Sequence, residues 1–256
     1  MSLNVTAIPA FNDNYIWCIH NQAFCVVVDP GDAGPVLEYC QSQKLTLSGV
    51  LVTHHHWDHT DGLDSLLRLQ PDLPIYGPNS HNIEQVTQTL AEDDSILIEA
   101  LNLQLKVLEI PGHTLDHIAY YGDIGLFCGD TLFSAGCGRL FEGSPQQMYR
   151  SLSKLSHLPA QTKVYCTHEY TLANIAFAQA VEPNNQALAN YKQWAENQRQ
   201  QNQATLPSSL ANELAVNPFL RCNQTEVIQG VELNTNQELN SEQEVFTALR
   251  KWKDNF

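Results

Sequence analysis

The 256-residue sequence predicts a layered α/β domain over residues 1–171, followed by a helical domain over residues 172–256. Up to about Tyr170, short apolar runs alternate with Gly, Pro and Asp turns and with occasional helical stretches, as in layered α/β domains. Beyond Tyr170 the composition changes to Ala, Gln, Asn and Glu with helical periodicity. The chain is long enough to bury a large core and to carry a smaller appendage.

The strands of the first domain are predicted from apolar runs that end at turn residues. Cys25–Val28 is a continuous apolar run that ends at an Asp-Pro-Gly turn, and residues 101–107 alternate apolar and polar side chains. Further strands are expected at residues 49–53, 118–121, 126–128 and 164–166. The Gly122-Asp123 turn predicts that the two strands flanking it are antiparallel neighbours.

Three helices are predicted in the same domain, at residues 35–43, 63–70 and 144–155. The last has a clear start, because Ser144 can cap it, Pro145 fits its first turn and Gln147 occupies the capping-box position.

The second domain is predicted to be helical at residues 172–181, 186–204 and 209–215. Pro183 and Pro207 separate these helices, and Glu226–Gln229 has the appearance of a short strand. A capping box at Ser241 to Glu244 opens the last helix. Its apolar stripe consists of Val245, Phe246, Leu249 and Trp252.

Composition limits the possible partners. The 28 acidic and 13 basic residues give a formal net charge of -15, which opposes binding to nucleic acid. The chain start lacks a cationic segment followed by an apolar run, and no stretch is apolar enough to cross a bilayer, so we expect a cytoplasmic protein without a membrane partner. The seven cysteines form no C-x-x-C pair and are expected to be reduced core residues. The sequence does not fix the oligomeric state; a monomer is our expectation.

The most informative segment is His54-His55-His56-Trp57-Asp58-His59, directly after an apolar run. Imidazole and carboxylate are ligands that Zn²⁺ and similar cations prefer. His54 and His56, two residues apart, suit one ion, whereas Asp58 and His59 suit a second. The alternative is a His-rich surface loop that binds metal only adventitiously.

Three further candidate ligands, His113, Asp130 and His168, each end or follow an apolar run near a turn. Taken alone, a histidine in such a position is more often a hydrogen-bonded structural residue. Together with the hexapeptide they supply seven ligands, enough for two three-ligand sites and one shared carboxylate.

The motifs H-x-H-x-D-H, G-H-T, G-D-T and T-H-E-Y resemble those of the metallo-β-lactamase superfamily. The resemblance implies a four-layer αββα sandwich that binds two divalent metal ions, with Zn²⁺ foremost and Fe or Mn as alternatives. It further implies that His54, His56 and His113 hold the first metal, that Asp58, His59 and His168 hold the second, and that Asp130 bridges them.

Within the superfamily the chain is similar to the glyoxalase II (hydroxyacylglutathione hydrolase) family nearly end to end. The matching segments are residues 11–15, 28–32, 137–143, 217–221 and 249–254. The resemblance implies hydrolysis of S-(2-hydroxyacyl)glutathione thioesters, such as S-D-lactoylglutathione, in the second step of methylglyoxal detoxification. Asp58 would then orient the attacking hydroxide as well as bind metal.

Arg250 and Lys253, three residues apart on the last helix, are expected to share a face away from the apolar stripe. They form either an anion site or an exposed helix end favoured by its dipole. The family resemblance implies that they bind the glycine carboxylate of glutathione, with Arg139, Phe141 and Tyr170 lining the pocket. Some family members carry Lys and Tyr in place of Arg139 and Phe141.

Asp29 has two interpretations: it orients a metal-bound histidine, or it simply opens its Asp-Pro-Gly turn. Two alternative functions also stay open, namely an iron-dependent glutathione persulfide dioxygenase and a non-catalytic binding protein of the same fold. A β-lactamase or a nuclease is disfavoured by Asp130, by the absence of an export signal and by the acidic composition.

Overall fold

The computed structural model describes residues 2–256, and Met1 lies outside the described residues. Contacts divide the chain into two compact units. The first contains the described residues up to Glu109 together with Asp116–Gly129, and the second contains Ile110–Leu115 together with Asp130–Phe256. The predicted domain boundary after residue 171 stays a prediction.

The first unit contains a mixed β-sheet built from the N-terminal part of the chain. Its strands are β1 (Asn4–Ala10), β2 (Asn14–His20), β3 (Phe24–Val28), β4 (Thr46–Leu51), β5 (Ile75–Pro78) and β6 (Gln88–Leu90). They lie side by side in chain order: β1, β2 and β3 are antiparallel, and β3 to β6 are parallel. The predicted strands at 25–28 and 49–53 are therefore neighbours, and their carboxyl ends meet at one sheet edge.

Helices α1 (Ala33–Gln43), α2 (Trp57–Thr60) and α3 (Leu63–Leu69) connect these strands. Asp32 caps α1 by accepting a hydrogen bond from the backbone N–H of Gly34 at 2.8 Å. Side chains of α1 and α3 bury themselves against the sheet in one apolar cluster. The predicted helices at 35–43 and 63–70 are confirmed.

The first unit also contains four antiparallel strands, β7 (Ser95–Ile98), β8 (Leu103–Glu109), β9 (Ile118–Gly122) and β10 (Gly125–Gly129). Each pairs with the next along the chain. A short 3-10 helix, Glu99–Leu101, connects the first two. The antiparallel pairing expected around Gly122 is confirmed.

The second unit is mainly helical. Its helices are α4 (Pro145–Ser156), α5 (Thr171–Val181), α6 (Gln186–Gln200), α7 (Leu210–Val216), α8 (Thr225–Thr235) and α9 (Glu242–Asp254). It also contains a hairpin of β11 (Leu132–Phe133) and β12 (Gly136–Cys137), and an antiparallel pair of β13 (Lys163–Cys166) and β14 (Ser208–Ser209). A 3-10 helix, Pro218–Leu220, follows α7.

The predicted helix starts agree with the structure. Ser144 accepts a hydrogen bond from the N–H of Gln147, and the Gln147 side chain accepts one from the N–H of Ser144, so the capping box of α4 is complete. Ser241 likewise accepts from the N–H of Glu244 at the start of α9. The reciprocal bond differs there, because the Glu244 carboxylate accepts from the N–H of Asn240.

One local prediction is wrong: Glu226–Gln229 lies within α8 and not in a strand. Val227 and Val231, four residues apart, are both fully buried, so the apolar spacing is helical once the full segment is considered. Within Glu226–Gln229 alone, two adjacent apolar residues between polar ones fit the period of a strand as well as that of a helix. Among residues 2–256, no helix combines the length and the apolar character that crossing a bilayer requires.

Candidate metal centre and substrate site

The His-rich segment follows β4 after Val52 and Thr53 and continues into the one-turn helix α2. Asp29, at the end of the parallel neighbour β3, donates its backbone N–H to Leu51 O at 2.9 Å. This pairing brings the residues that follow both strands to the same sheet edge. His54 and His59 are buried there, and His56 and Asp58 are half-buried.

Asp29 lies against this segment from the side. Its backbone is left-handed, with φ 54°, and its side chain is 2% exposed. One carboxylate oxygen accepts from the backbone N–H of Thr53 at 2.7 Å, and the other accepts from the Thr53 hydroxyl at 2.8 Å. Nδ1 of His59 lies 3.1 Å from the second oxygen. The carboxylate thus contacts both ends of the segment, which goes beyond what an Asp-Pro-Gly turn requires.

The hydrogen bonds fix the tautomer of His54. The Thr53 hydroxyl donates its hydrogen bond to Asp29. The Thr53 oxygen therefore accepts a hydrogen bond from Nδ1–H of His54 at 3.0 Å. Nε2 of His54 therefore carries a lone pair, and it lies 3.1 Å from Nδ1 of His56. Two imidazole nitrogens thus converge in the first unit.

Asp58 and His59 form a second pair of candidate metal ligands in the first unit. Oδ2 of Asp58 lies 3.5 Å from Nε2 of His59. The same oxygen accepts a hydrogen bond at 2.9 Å from the side-chain amide of Asn14, at the start of β2. Sequence reasoning missed Asn14 as a site residue, although it belongs to the Phe11–Tyr15 segment of the family resemblance.

The other histidines of these motifs have structural partners. Nδ1 of His55 lies 2.9 Å from a carboxylate oxygen of Asp116. Nδ1 of His117 donates to Ile118 O at 3.0 Å, and its ring stacks on that of His54 at 4.5 Å. Both positions agree with a supporting role.

Two imidazole nitrogens lie near one carboxylate oxygen in the second unit. Oδ2 of Asp130 lies 3.5 Å from Nε2 of His113 and 3.3 Å from Nε2 of His168. Nδ1 of His113 donates to the carbonyl of Arg139 at 2.7 Å, so Nε2 of His113 is the lone-pair nitrogen. A carboxylate oxygen and an imidazole lone pair therefore face each other in a buried position.

This arrangement fits a cation. Two ligands that each lie about 2.0–2.2 Å from a tetrahedral ion are separated by roughly 3.3–3.6 Å. In each of the four pairs of candidate ligand atoms, the two atoms lie 3.1–3.5 Å apart. Facing lone pairs, such as those of His113 Nε2 and Asp130 Oδ2, repel one another unless a positive charge lies between them. The His and Asp side chains in each unit therefore suit divalent metal ions.

Three predicted substrate residues surround the second set of donors. Tyr170, 38% exposed, stacks on the His168 ring at 4.7 Å. Phe141, 61% exposed, meets the His113 ring edge-on at 5.2 Å. The Arg139 guanidinium carbon lies 5.7 Å from the centroid of the Phe141 ring. These side chains form an exposed aromatic rim with one cation beside the candidate ligands.

The placement expected for Arg250 is wrong, because this residue lies on the buried face of α9 and is 5% exposed. Its guanidinium donates to Cys137 O at 3.0 Å, Gly138 O at 3.4 Å and the Asp254 carboxylate at 2.9 Å. Its charge is thereby paired with that of Asp254, and its bonds to the two carbonyls connect α9 to the segment before Arg139. Sequence alone predicts the polar face for a charged residue of an amphipathic helix, because carbonyl partners this distant in sequence cannot be recognised from it.

Lys253 is half-buried, and its Nζ lies 5.0 Å from the centroid of the Phe177 ring and 5.7 Å from that of Phe256. Burial lowers the pKa of the Lys253 ammonium from its ordinary value of 10.5, and the positive charge of Arg250 lowers it further.

A buried polar network, which sequence reasoning also missed, supports the hairpin that follows Asp130. The Glu213 carboxylate accepts from Ala135 N–H at 2.7 Å and from the Ser134 hydroxyl at 3.0 Å. The Asn217 amide donates to Phe133 O, Gly136 O and Glu213. Burial raises the pKa of Glu213 despite these hydrogen bonds. Helix α7 and the residue that follows it therefore hold the backbone between Asp130 and Arg139.

Comparisons with known proteins identify the family of the chain. The family model described as "Metallo-beta-lactamase superfamily" matches residues 11–168, and the model "Hydroxyacylglutathione hydrolase C-terminus" matches residues 169–256. A curated hydroxyacylglutathione hydrolase of Nitrosomonas europaea is 52% identical over 254 residues, which cover 99% of this chain and 97% of the relative.

Solved structures show the same fold. ETHE1 from Myxococcus xanthus matches with a TM-score of 0.65 and 24% identity, over 99% of this chain and 98% of that chain. TTHA1623 in a di-iron-bound form matches with a TM-score of 0.60 and 22% identity, over 84% of this chain and all of that chain.

The expected metallo-β-lactamase fold with a C-terminal helical region is confirmed. The full-length relatives at about 50% identity favour the hydrolase over the dioxygenase and over the non-catalytic alternative. The chain therefore belongs to the hydroxyacylglutathione hydrolase (glyoxalase II) family, the metal-dependent thioester hydrolases of the metallo-β-lactamase superfamily.

Proposed function

We propose that the two sets of donors together bind two divalent metal ions. His54, His56 and His113 hold one ion, Asp58, His59 and His168 hold the other, and Asp130 belongs to both. The observation that carries this assignment is that Asp130 Oδ2 lies 3.5 Å from Nε2 of His113 and 3.3 Å from Nε2 of His168. A carboxylate so placed is suited to bridge two cations.

Zn²⁺ is the metal that this ligand set favours, because imidazole and carboxylate in tetrahedral arrangements are its usual partners. Iron and manganese accept the same ligands, and TTHA1623, a protein of the same fold, has been solved in a di-iron-bound form. When bound, the two ions supply Lewis acidity that lowers the pKa of water and polarises a carbonyl group.

The protein's own side chains then set the geometry. Asp58 orients the attacking water as well as binding metal, while Asp29 holds His59 and the backbone of Thr53 in place. A thiolate whose parent thiol has a pKa of about 8.5 leaves without strong acid catalysis. No general acid is therefore assigned.

The substrate is an S-(2-hydroxyacyl)glutathione, such as S-D-lactoylglutathione, which yields glutathione and D-lactate. Lys253 binds the glycine carboxylate of glutathione, and Arg250 assists by holding the Cys137–Gly138 backbone next to Arg139. Arg139, Phe141 and Tyr170 line the remaining pocket. Phe141 has no hydroxyl group, so its contribution is apolar contact and not a hydrogen bond.

We further propose that the protein acts as a cytoplasmic monomer. All seven cysteines are reduced in the structure, as is usual in a reducing compartment. The net charge of -15 opposes self-association and binding to polyanions.

A hydrolysis assay tests the proposal. The wild-type protein loaded with Zn²⁺ should hydrolyse S-D-lactoylglutathione, and Asp58→Ala should lower kcat at least about 100-fold and reduce the metal content. Asp64→Ala, which removes an exposed carboxylate on α3, is the matched control and should behave as wild type. Full turnover by Asp58→Ala would contradict the ligand assignment.

A further inference from the structure

We propose that Asn14 is a positioning residue for Asp58. Asn14 is 6% exposed, and its amide Nδ2 donates to Asp58 Oδ2 at 2.9 Å. The opposite orientation of the amide would bring its carbonyl oxygen against the carboxylate, so the donating orientation is the one that electrostatics allows. This inference rests on the proposed role of Asp58 as a metal ligand.

The β-hairpin aims Asn14 at its target. Strands β1 and β2 pair in register up to Ala10 and Asn14, and residues 11–13 form the turn between them. Because side chains alternate along a strand, Asn14 shares its face of β2 with Ile16 and Cys18, which lie in the buried core cluster. The amide is thus directed inward at the first position of the strand.

The same turn contacts the metal-binding segment at a second point. Phe11 has a left-handed backbone, with φ 51°, a conformation that residues other than glycine seldom adopt. Its ring meets Trp57, the residue before Asp58, edge-on at 5.1 Å. Both rings stay largely in solvent, 47% and 60% exposed, so burial in the core does not explain the contact. The turn therefore contacts Trp57 with one residue and Asp58 with another.

A neutral donor suits this task. A lysine or arginine in place of Asn14 would form an ion pair with Asp58 and compete with a metal ion for its charge. An amide fixes the direction of the carboxylate and leaves its negative charge in place. His59 Nε2 lies 3.5 Å from the same oxygen, so a rotated Asp58 would change the spacing of this donor pair.

Metal affinity provides the test. Competition with a chelator should show Zn²⁺ binding about 10–100-fold weaker in Asn14→Ala than in wild type. The absorption spectrum of the Co²⁺-substituted protein should change, and kcat should fall while KM stays within about twofold. Asn12→Ala, an exposed asparagine in the same turn, is the control and should match wild type.

A double-mutant cycle separates positioning from general destabilisation. If Asn14 acts through Asp58, Asn14→Ala should not further weaken metal binding in an Asp58→Ala background. Additive losses, or wild-type affinity in folded Asn14→Ala, would overturn the proposal. Asn14→Ser also lacks the amide and decides the matter if the alanine variant does not fold. A wild-type protein that binds no metal would instead refute the proposed function itself.

Discussion

At the scale of single residues, two candidate ligands are oriented by hydrogen bonds at the ring nitrogen that does not face the other ligands. Nδ1–H of His113 donates a hydrogen bond to the carbonyl of Arg139, and Nδ1–H of His54 donates one to the hydroxyl oxygen of Thr53. Each hydrogen bond leaves Nε2 of the same ring with a lone pair that points towards the other candidate metal ligands. Proteins commonly orient metal-binding imidazoles in this way. Arg139 thus makes two contacts: its backbone carbonyl holds the candidate ligand His113, and its side chain lies beside Phe141 in the exposed aromatic rim.

In the proposed substrate site, Lys253 is the residue through which pH would act on binding. Because its pKa is lowered, its ammonium loses the proton at a lower pH than a free lysine does. We therefore expect KM for the glutathione thioester to rise with pH before the ordinary lysine range is reached, with kcat less affected. A pH profile of KM measures this effect.

The matched variants for this profile lie on the same helix. Lys253→Arg keeps its positive charge at alkaline pH, so the rise in KM should disappear. Lys251→Arg, at an exposed position, should retain the wild-type profile. An unchanged profile in Lys253→Arg would remove Lys253 from the anion site.

Sequence reasoning was strongest for residues whose chemistry is visible in local spacing. The hexapeptide predicted two donor pairs, and the structure brings together His54 with His56 and Asp58 with His59. Asn14 could not be found in this way, because its partner lies 44 positions away and an asparagine at a strand start has many ordinary uses. The buried position of Arg250 escaped prediction for the same reason, since its carbonyl partners lie more than 100 residues away.

At the scale of elements, the β11–β12 hairpin depends on helices far along the chain. Glu213 and Asn217 bind its backbone, and the side chain of Asn174 in α5 donates to Ser134 O at 3.1 Å. Ala135 has a left-handed φ of 54°, which the hydrogen bond from its N–H to Glu213 helps to hold.

Removal of Glu213 should therefore destabilise the protein more than an average substitution. Glu213→Ala leaves several buried donors without their acceptor, at a cost of about 3 kcal/mol in the free energy of unfolding. Denaturant titration should show the loss. Glu226→Ala, an exposed glutamate at the start of α8, is the control and should change stability by less than about 0.5 kcal/mol.

The charge of Glu213 adds a pH dependence of known sign. A carboxyl whose folded pKa is raised stabilises the fold at acid pH, and this contribution is lost as pH rises through that pKa. Glu213→Gln is uncharged throughout, so its stability relative to wild type should improve with rising pH. The opposite trend would show that the hydrogen bonds outweigh burial.

The starts of helices could be predicted better than whether a short segment is a helix or a strand. Ser144 and Ser241 cap their helices as expected, because capping is decided by residues three positions apart. The segment at Glu226 was misassigned because its helical stripe becomes visible only when Val231 is included. Strands β1 and β2 were not predicted, since their hairpin contains polar residues at its turn and no Gly-containing signal.

At the scale of the whole molecule, the seven proposed ligands come from segments far apart in the sequence, from His54 to His168. Such a set exists only in the folded chain, so metal binding stabilises the native state. The resemblance of the motifs to the metallo-β-lactamase superfamily predicted the fold, because the family pattern extends over almost the full length.

Metal removal should therefore lower Tm without removing secondary structure. A ligand present at 1,000 times its Kd contributes about 4 kcal/mol, and each kcal/mol shifts Tm by about 2–4 °C in a chain of this size. Calorimetry of chelator-treated protein, with and without added Zn²⁺, measures the shift. Mg²⁺, which prefers oxygen ligands, should restore little of it, and an unchanged Tm with Zn²⁺ would argue against the ligand set.

The burial of every cysteine has a consequence for an enzyme whose product is itself a thiol. Cys40, the most accessible of the seven, is only 8% exposed. Thiol–disulfide exchange requires an incoming sulfur to reach its target in line, and the folded chain offers no such approach at these positions. Oxidised glutathione, the disulfide formed from the released product, therefore meets no accessible cysteine with which to exchange, and we expect the folded protein not to be glutathionylated at these positions.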